Sequence, residues 1–229
     1  VAVGQFEHNA QATIGKNVRV NAKHIGVGAD AVMPITITWH KWEGLDSIIS
    51  KVNTNLGLLN EVLTSYASAS GDSGELGLFG ATNYFENENN VRAWVGEGAT
   101  LTATGNRDDW TTSYVDLKGD TKSWIWKEAV DVQARSLTES IDVAGNINFL
   151  NPIGGTSSGS GGVSVGAAFN WIEHSAETIA GIGNGVNVTT SGLGVNASTE
   201  DRMFVVSPTS GAGGGFGGNG IVALSQIDN

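Results

Sequence analysis

Four aromatic residues close together in the chain, Trp110, Tyr114, Trp124 and Trp126, are the side chains of this sequence best suited to holding a ligand. Flat rings with a polar edge stack on sugar faces and on neighbouring protein, and large exposed apolar groups on a soluble protein usually mark contacts. They are candidate binding residues for a glycan or a protein. A second reading stays open, in which Trp124 and Trp126 alternate on one strand face and roof the core.

Residues that could catalyse are present but lack the company catalysis needs. Gly71-Asp72-Ser73-Gly74 sets a serine as in a protease nucleophile loop, yet that chemistry needs a histidine and an aspartate oriented toward it, and the motif sits in a Gly/Ser-rich turn. The stretch Gly213 to Gly218 contains G-x-G-x-x-G without the preceding strand and following helix of a dinucleotide site. The overlapping Gly214 to Val222, GGFGGNGIV, fits a calcium-binding nonapeptide only with Asn219 in place of Asp, and such sites form between consecutive copies, of which the chain has one.

Asp108-Asp109 and Glu200-Asp201 are acidic pairs read as solvated loop charge. Neighbours on a strand point to opposite faces and cannot converge across a groove as glycoside cleavage requires. His8, His24, His40 and His174 are not spaced as metal ligands, and the sequons at Asn187 and Asn196 read as Asn/Thr richness. The chain is therefore expected to be no enzyme and to carry no catalytic residue, metal site or cofactor, calcium being the one ion with any sequence support.

Composition bounds the elements that position these residues. The 229 residues include 33 Gly against 3 Pro, with 15% charged and 40% hydrophobic, which describes an ordered chain rich in tight turns. A net charge of -11 with no basic cluster argues against nucleic acid as a partner. The absence of Cys excludes disulfides and thiolate chemistry, and no 18-residue apolar run is available for a transmembrane helix. The opening Val1-Ala2-Val3-Gly4 carries neither an initiator Met nor a signal peptide, so the chain reads as an internal segment of a longer protein.

A repeat organises the whole. Gly80 to Ala103 aligns without gaps with Ala167 to Thr190, placing Glu86 on Glu173 and Gly96 and Gly98 on Gly183 and Gly185. At the N-terminus Phe6-Glu7-His8 aligns with Ile172-Glu173-His174, and after a two-residue deletion Ile14 to Val20 aligns with Ile182 to Val188. A further copy begins at Ile221 and would set Asn229 on His174. Within each copy apolar and polar residues alternate, as in Val186-Asn187-Val188-Thr189, the period of half-buried strands punctuated by Gly and Asn corners. Such units stack as a solenoid, each burying its inward side chains on the next.

Two insertions interrupt the copies. Leu45, Ile48, Ile49, Val52, Leu59, Val62, Leu63 and Tyr66 follow the spacing of an amphipathic helix inside an insertion spanning 43–74. The second is the aromatic-rich loop of 105–127, where a repetitive scaffold hangs its recognition elements.

The cadence Gly-x-x-Ala, Asn-x-Ile-Glu, Ile-Gly-x-Gly-Val-x-Val and Val-x-Ala, followed by the Gly-rich 211–220, resembles the repeats of large filamentous bacterial adhesins and exoproteins of the leukotoxin and filamentous-haemagglutinin type. That resemblance, which covers nearly all of the chain outside the two insertions, implies an all-β chain wound as a right-handed parallel β-helix in a protein secreted through an outer-membrane partner (type V secretion) and held outside the cell or on its surface, and the spacing in 43–74 adds one inserted α-helix. It implies a shaft whose loops touch a glycan or protein of a host or neighbouring cell, with self-association of parallel shafts as a further contact. A polysaccharide lyase or hydrolase on the same scaffold, or a toxin segment, are the competing expectations.

Overall fold

The computed structural model describes residues 1–33, 65–67, 76–115, 121–144, 156–157, 163–206, 211–212 and 217–228. The chain is all-β, and no helix occurs among the described residues.

Three successive passes of the chain each contribute three strands. The first pass holds β1 (Ala2–Ile14), β2 (Arg19–Ala22) and β3 (Ile25–Met33). A short β4 (Ser65–Ala67) precedes the second, formed by β5 (Leu76–Val95), β6 (Thr100–Ala103) and β9 (Val130–Ala144). Between β6 and β9 lie β7 (Trp110–Val115) and β8 (Thr121–Trp126). After β10 (Thr156–Ser157) the third pass follows as β11 (Val163–Ile182), β12 (Asn187–Thr189) and β13 (Leu193–Val206). Finally β14 (Gly211–Ala212) precedes β15 (Gly217–Asp228), which opens a fourth pass.

Equivalent strands pair in parallel, in the orders β1-β5-β11-β15, β2-β6-β12 and β3-β9-β13. The pairing reproduces much of the repeat read from the sequence. Glu86 lies opposite Glu173, and Val27 and Val195 both lie opposite Val132. The corners match as well: Gly98 and Gly185 both have φ 68°, and Asn17 takes the same left-handed corner in the first pass at φ 57°. Glycine adopts that region without penalty, and Asn is among the side chains that tolerate it.

Register departs from the sequence alignment in two places, each by two residues. His8 lies opposite Asn89, and Phe6 opposite Asn87, so His8 and His174 are not equivalent. His174 lies opposite Ile227, not Asn229. Because the side-chain period of a strand is two, a two-residue slip keeps every residue on its own face, and alternation alone cannot detect it.

The interior divides into two zones. Where the corners lie it is apolar, with Val91, Ala93, Val95, Leu101, Val130 and Val132 buried beside Ile25, Val27 and Ala29 of the first pass. Toward the start of β5 and β11 and the end of β9 it is rich in polar groups, with Asn83, Asn87, Asn89, Ser136, Thr138, Ser140, Asp142, Asn170 and His174 buried around Phe85 and Ile172. Buried polar groups persist when they bond one another, and here they do so across passes, as in Asn83 Nδ2 donating to Asn170 Oδ1 at 3.0 Å.

The helix expected in 43–74 falls largely on residues outside those described. Its far end does not continue it: Ser65–Ala67 forms β4 and pairs with β9 from Asp142 to Ala144. The motif at 71–74, His40 and residues 213–216 of the Gly-rich stretch also lie outside the described residues.

Candidate functional site

The aromatic loop is a hairpin, β7 and β8 running antiparallel with Trp110 opposite Trp126 and Thr112 opposite Trp124. Alternation along β8 turns Trp124 and Trp126 to the same face, and that face lies on β3 and β9. Both rings are only 5% exposed. Room for them comes from the first pass: a Cβ on Gly26 would stand 2.7 Å from Trp126 Cζ2, and one on Gly28 2.8 Å from Trp124 Cζ2.

The rings form a continuous stack closed at both ends. His24 lies on Trp110 at 5.0 Å, Trp110 on Trp126 at 5.2 Å and Trp126 on Trp124 at 5.2 Å between centroids. The Arg135 guanidinium covers Trp124 at 4.0 Å and is itself paired with Asp30 at 3.0 Å. Each indole N–H is satisfied within the chain, Trp110 by Glu128 O, Trp124 by Gln133 Oε1 and Trp126 by Thr112 Oγ1.

Of the four aromatic residues singled out from sequence, Trp124 and Trp126 thus pack inside the molecule as a roof over the sheet. Trp110 is half-buried in the stack, and Tyr114, 38% exposed, lies beside Trp124 at 6.2 Å between centroids with its hydroxyl donating to Asp30 Oδ2 at 3.4 Å, while Val115 and Ile125 are exposed on the opposite face of the hairpin. Offset stacking of this kind adds cohesion beyond area burial, so the cluster fastens the second pass to the first.

Glu200 and Asp201 also differ from their expected role. Both are on β13, not a loop. Glu200 points outward to Arg202, whereas Asp201 turns inward and meets the buried His174 Nε2 at 2.7 Å. Asn87 Nδ2 donates to His174 Nδ1 at 3.0 Å, and Thr138 Oγ1 stands 3.3 Å from His174 Nε2. Asn89 extends the network, donating to Ser136 Oγ and Thr138 Oγ1 at 3.0 Å and accepting from His8 Nδ1 at 3.1 Å. Asp108 and Asp109 are exposed between β6 and β7, as expected.

A second surface cluster was not singled out from sequence. On the outer face of β1-β5-β11-β15, register aligns Gln5, Glu86, Glu173 and Gln226 in one row, and Val3, Tyr84, Trp171 and Leu224 in the next. Tyr84 Oη stands 3.1 Å from Glu86 Oε2 and 3.0 Å from Glu173 Oε2. Gln5 Nε2 donates to Glu86 Oε2 at 3.1 Å, and Trp171 Nε1 to Glu173 Oε1 at 3.0 Å. The hydrogen bond to Glu173, with burial and the Glu86 carboxylate, pushes the Tyr84 phenol up to about 12, because ionising it would place a third negative charge there. Farther along the face, Asn9, Gln11, Asn90, Arg92, Glu177 and Ile179 line a shallow depression of about 360 Å³. The sequence signal for this cluster was the alignment of Glu86 with Glu173, which places both carboxylates on one face once the strands are neighbours.

Among the described residues no group of three or more His, Asp or Glu is placed to hold a metal ion, and no helix is long and apolar enough to cross a membrane. No protein-family model, curated protein or solved structure matches the chain.

Proposed function

We propose that the chain is a shaft segment of a large extracellular bacterial adhesin or exoprotein, wound as a right-handed parallel β-helix and carrying contact surfaces on its outer faces. The observation that carries this reading is the parallel, in-register repetition of all three strand positions from pass to pass. Stacks of this kind extend by adding passes, and the uncovered edge of the third pass suits that use: Val195 is 46% exposed, whereas its counterpart Val132 in the second pass is fully buried.

A scaffold role is favoured over an enzymatic one by where the carboxylates lie. Glu86 and Glu173 sit on an open sheet face and share one phenol, while Asp201 is engaged by a buried histidine. A glycosidase needs two carboxyl groups flanking a bound sugar, one of them free to deliver a proton. The experiment is twofold: retention of the labelled chain on cultured cells and bacteria, and incubation with neutral and acidic polysaccharides followed by assay for reducing ends and unsaturated products. Retention without cleavage is expected. Release of new ends would overturn the adhesive reading in favour of catalysis.

A further inference from the structure

We propose that the outer face of the β1-β5-β11-β15 sheet binds an extended neutral glycan, its rings lying along the Tyr84–Trp171 row and its hydroxyls on the Glu86–Glu173 row. This rests on the adhesive reading above and names its ligand class and site, which lies on a different sheet from the aromatic hairpin.

Three features of the face point to that ligand. The first is spare acceptor capacity. The single Tyr84 hydrogen, the Gln5 amide and the Trp171 indole supply the donors to the Glu86 and Glu173 carboxylates, and two ionised carboxylates accept more hydrogen bonds than these donors fill. A ligand rich in hydroxyl donors can take up the rest.

The second feature is the neighbouring row. Trp171 is 37% exposed, and its indole N–H is fixed on Glu173 Oε1. The ring is thereby oriented as a flat apolar surface beside a line of acceptors, the pairing that suits the C–H face and the hydroxyl edge of a sugar. Phe169 supports the ring from the side at 6.1 Å.

The third is pitch and charge. Rows crossing neighbouring strands repeat at about 4.8 Å, close to the length of one sugar unit in an extended chain, and Gln5 and Gln226 continue the acceptor row on both sides of the two glutamates. The chain's net charge of -11 and the carboxylates themselves repel sulfated or uronic glycans, which favours neutral glycans over acidic ones.

Calorimetric titration of the whole chain with cellohexaose, chitohexaose, heparin and nona-lysine tests the assignment, alongside Trp171→Ala, Trp171→Phe, Glu173→Gln and the hairpin variant Ile125→Ser. Binding of a neutral hexasaccharide is expected to weaken about tenfold or more in Trp171→Ala and Glu173→Gln, and to persist in Trp171→Phe and Ile125→Ser. Unchanged melting temperatures identify a loss as local. Glycan binding abolished by Ile125→Ser but kept by Trp171→Ala overturns the site and leaves the adhesive reading standing. Binding of nona-lysine with no neutral sugar overturns it in favour of a basic peptide. Retention on cells with no binding of any probe overturns the ligand class alone, and loss of both removes the adhesive reading with it.

Discussion

At the scale of single residues, hydrogen-bond accounting dictates what each side chain can do. Tyr84 is held between Glu86 and Glu173, and its phenol is raised to about 12 from an ordinary value near 10. A group whose folded value is raised contributes stability that is fully present below the unfolded value and is lost as pH climbs through the folded one. The Tyr84 contribution should therefore hold up to about pH 10 and fade between pH 10 and 12. Ultraviolet titration of the phenolate should show one tyrosine ionising late, and Glu173→Gln should bring it down toward the ordinary range; an unchanged late titration in that variant would contradict the assignment. In the interior, His174 Nε2 faces the Asp201 carboxylate at 2.7 Å and Nδ1 accepts from Asn87. Truncating Asp201 to Ala removes the carboxylate that faces the buried imidazole and should cost about 1–3 kcal/mol in denaturant unfolding. Asp201→Asn, which keeps an acceptor oxygen, should cost less.

At the scale of elements, the hairpin β7–β8 and the strands it covers behave as one unit. Trp124 and Trp126 enter the space left by Gly28 and Gly26 of the first pass. Truncating Trp126 to Ala should destabilise by about 3–5 kcal/mol, the usual cost of emptying a buried aromatic site. Gly26→Ala should also destabilise, since its Cβ would meet the indole. Near-ultraviolet circular dichroism should lose the signal of coupled indoles in both, and a full signal in Gly26→Ala would mean that the rings are not seated on that glycine. Strand faces and corners were legible in the sequence because alternation and Gly or Asn punctuation are local. Register was legible for the second and third passes, where Glu86 and Glu173 pair as aligned, and not at the start of the first, where the alignment of His8 with His174 slipped by two because a two-residue shift preserves the face. The destination of the tryptophans was not legible either. Their receiving surface, Gly26 and Gly28, lies in an earlier pass, and only pairing of β3 with β9 brings it beneath the hairpin. The Tyr84 cluster was half legible. Glu86 and Glu173 aligned, but the bond that joins them through Tyr84 crosses strands, and sequence spacing does not show such neighbours.

At the scale of the molecule, one repeated geometry explains the glycine content, the split between an apolar and a polar interior, and the rows on the outer face. Each follows if passes stack in register, Glu88 lying opposite Ser175 and not opposite Glu177. The chain contains no cysteine, so an introduced pair is the sole thiol pair present. Neighbouring strand positions stand about 4.8 Å apart, inside the Cα separation that a disulfide accepts. Two residues along the strand adds nearly 7 Å and takes the pair out of reach. The decisive measurement is thus oxidative cross-linking of Glu88→Cys/Ser175→Cys against Glu88→Cys/Glu177→Cys, read by non-reducing gel and peptide mapping. Rapid, near-complete disulfide formation in the first pair and little in the second is the result expected of parallel passes in this register. Equal cross-linking in both, or a preference for the second, would contradict it.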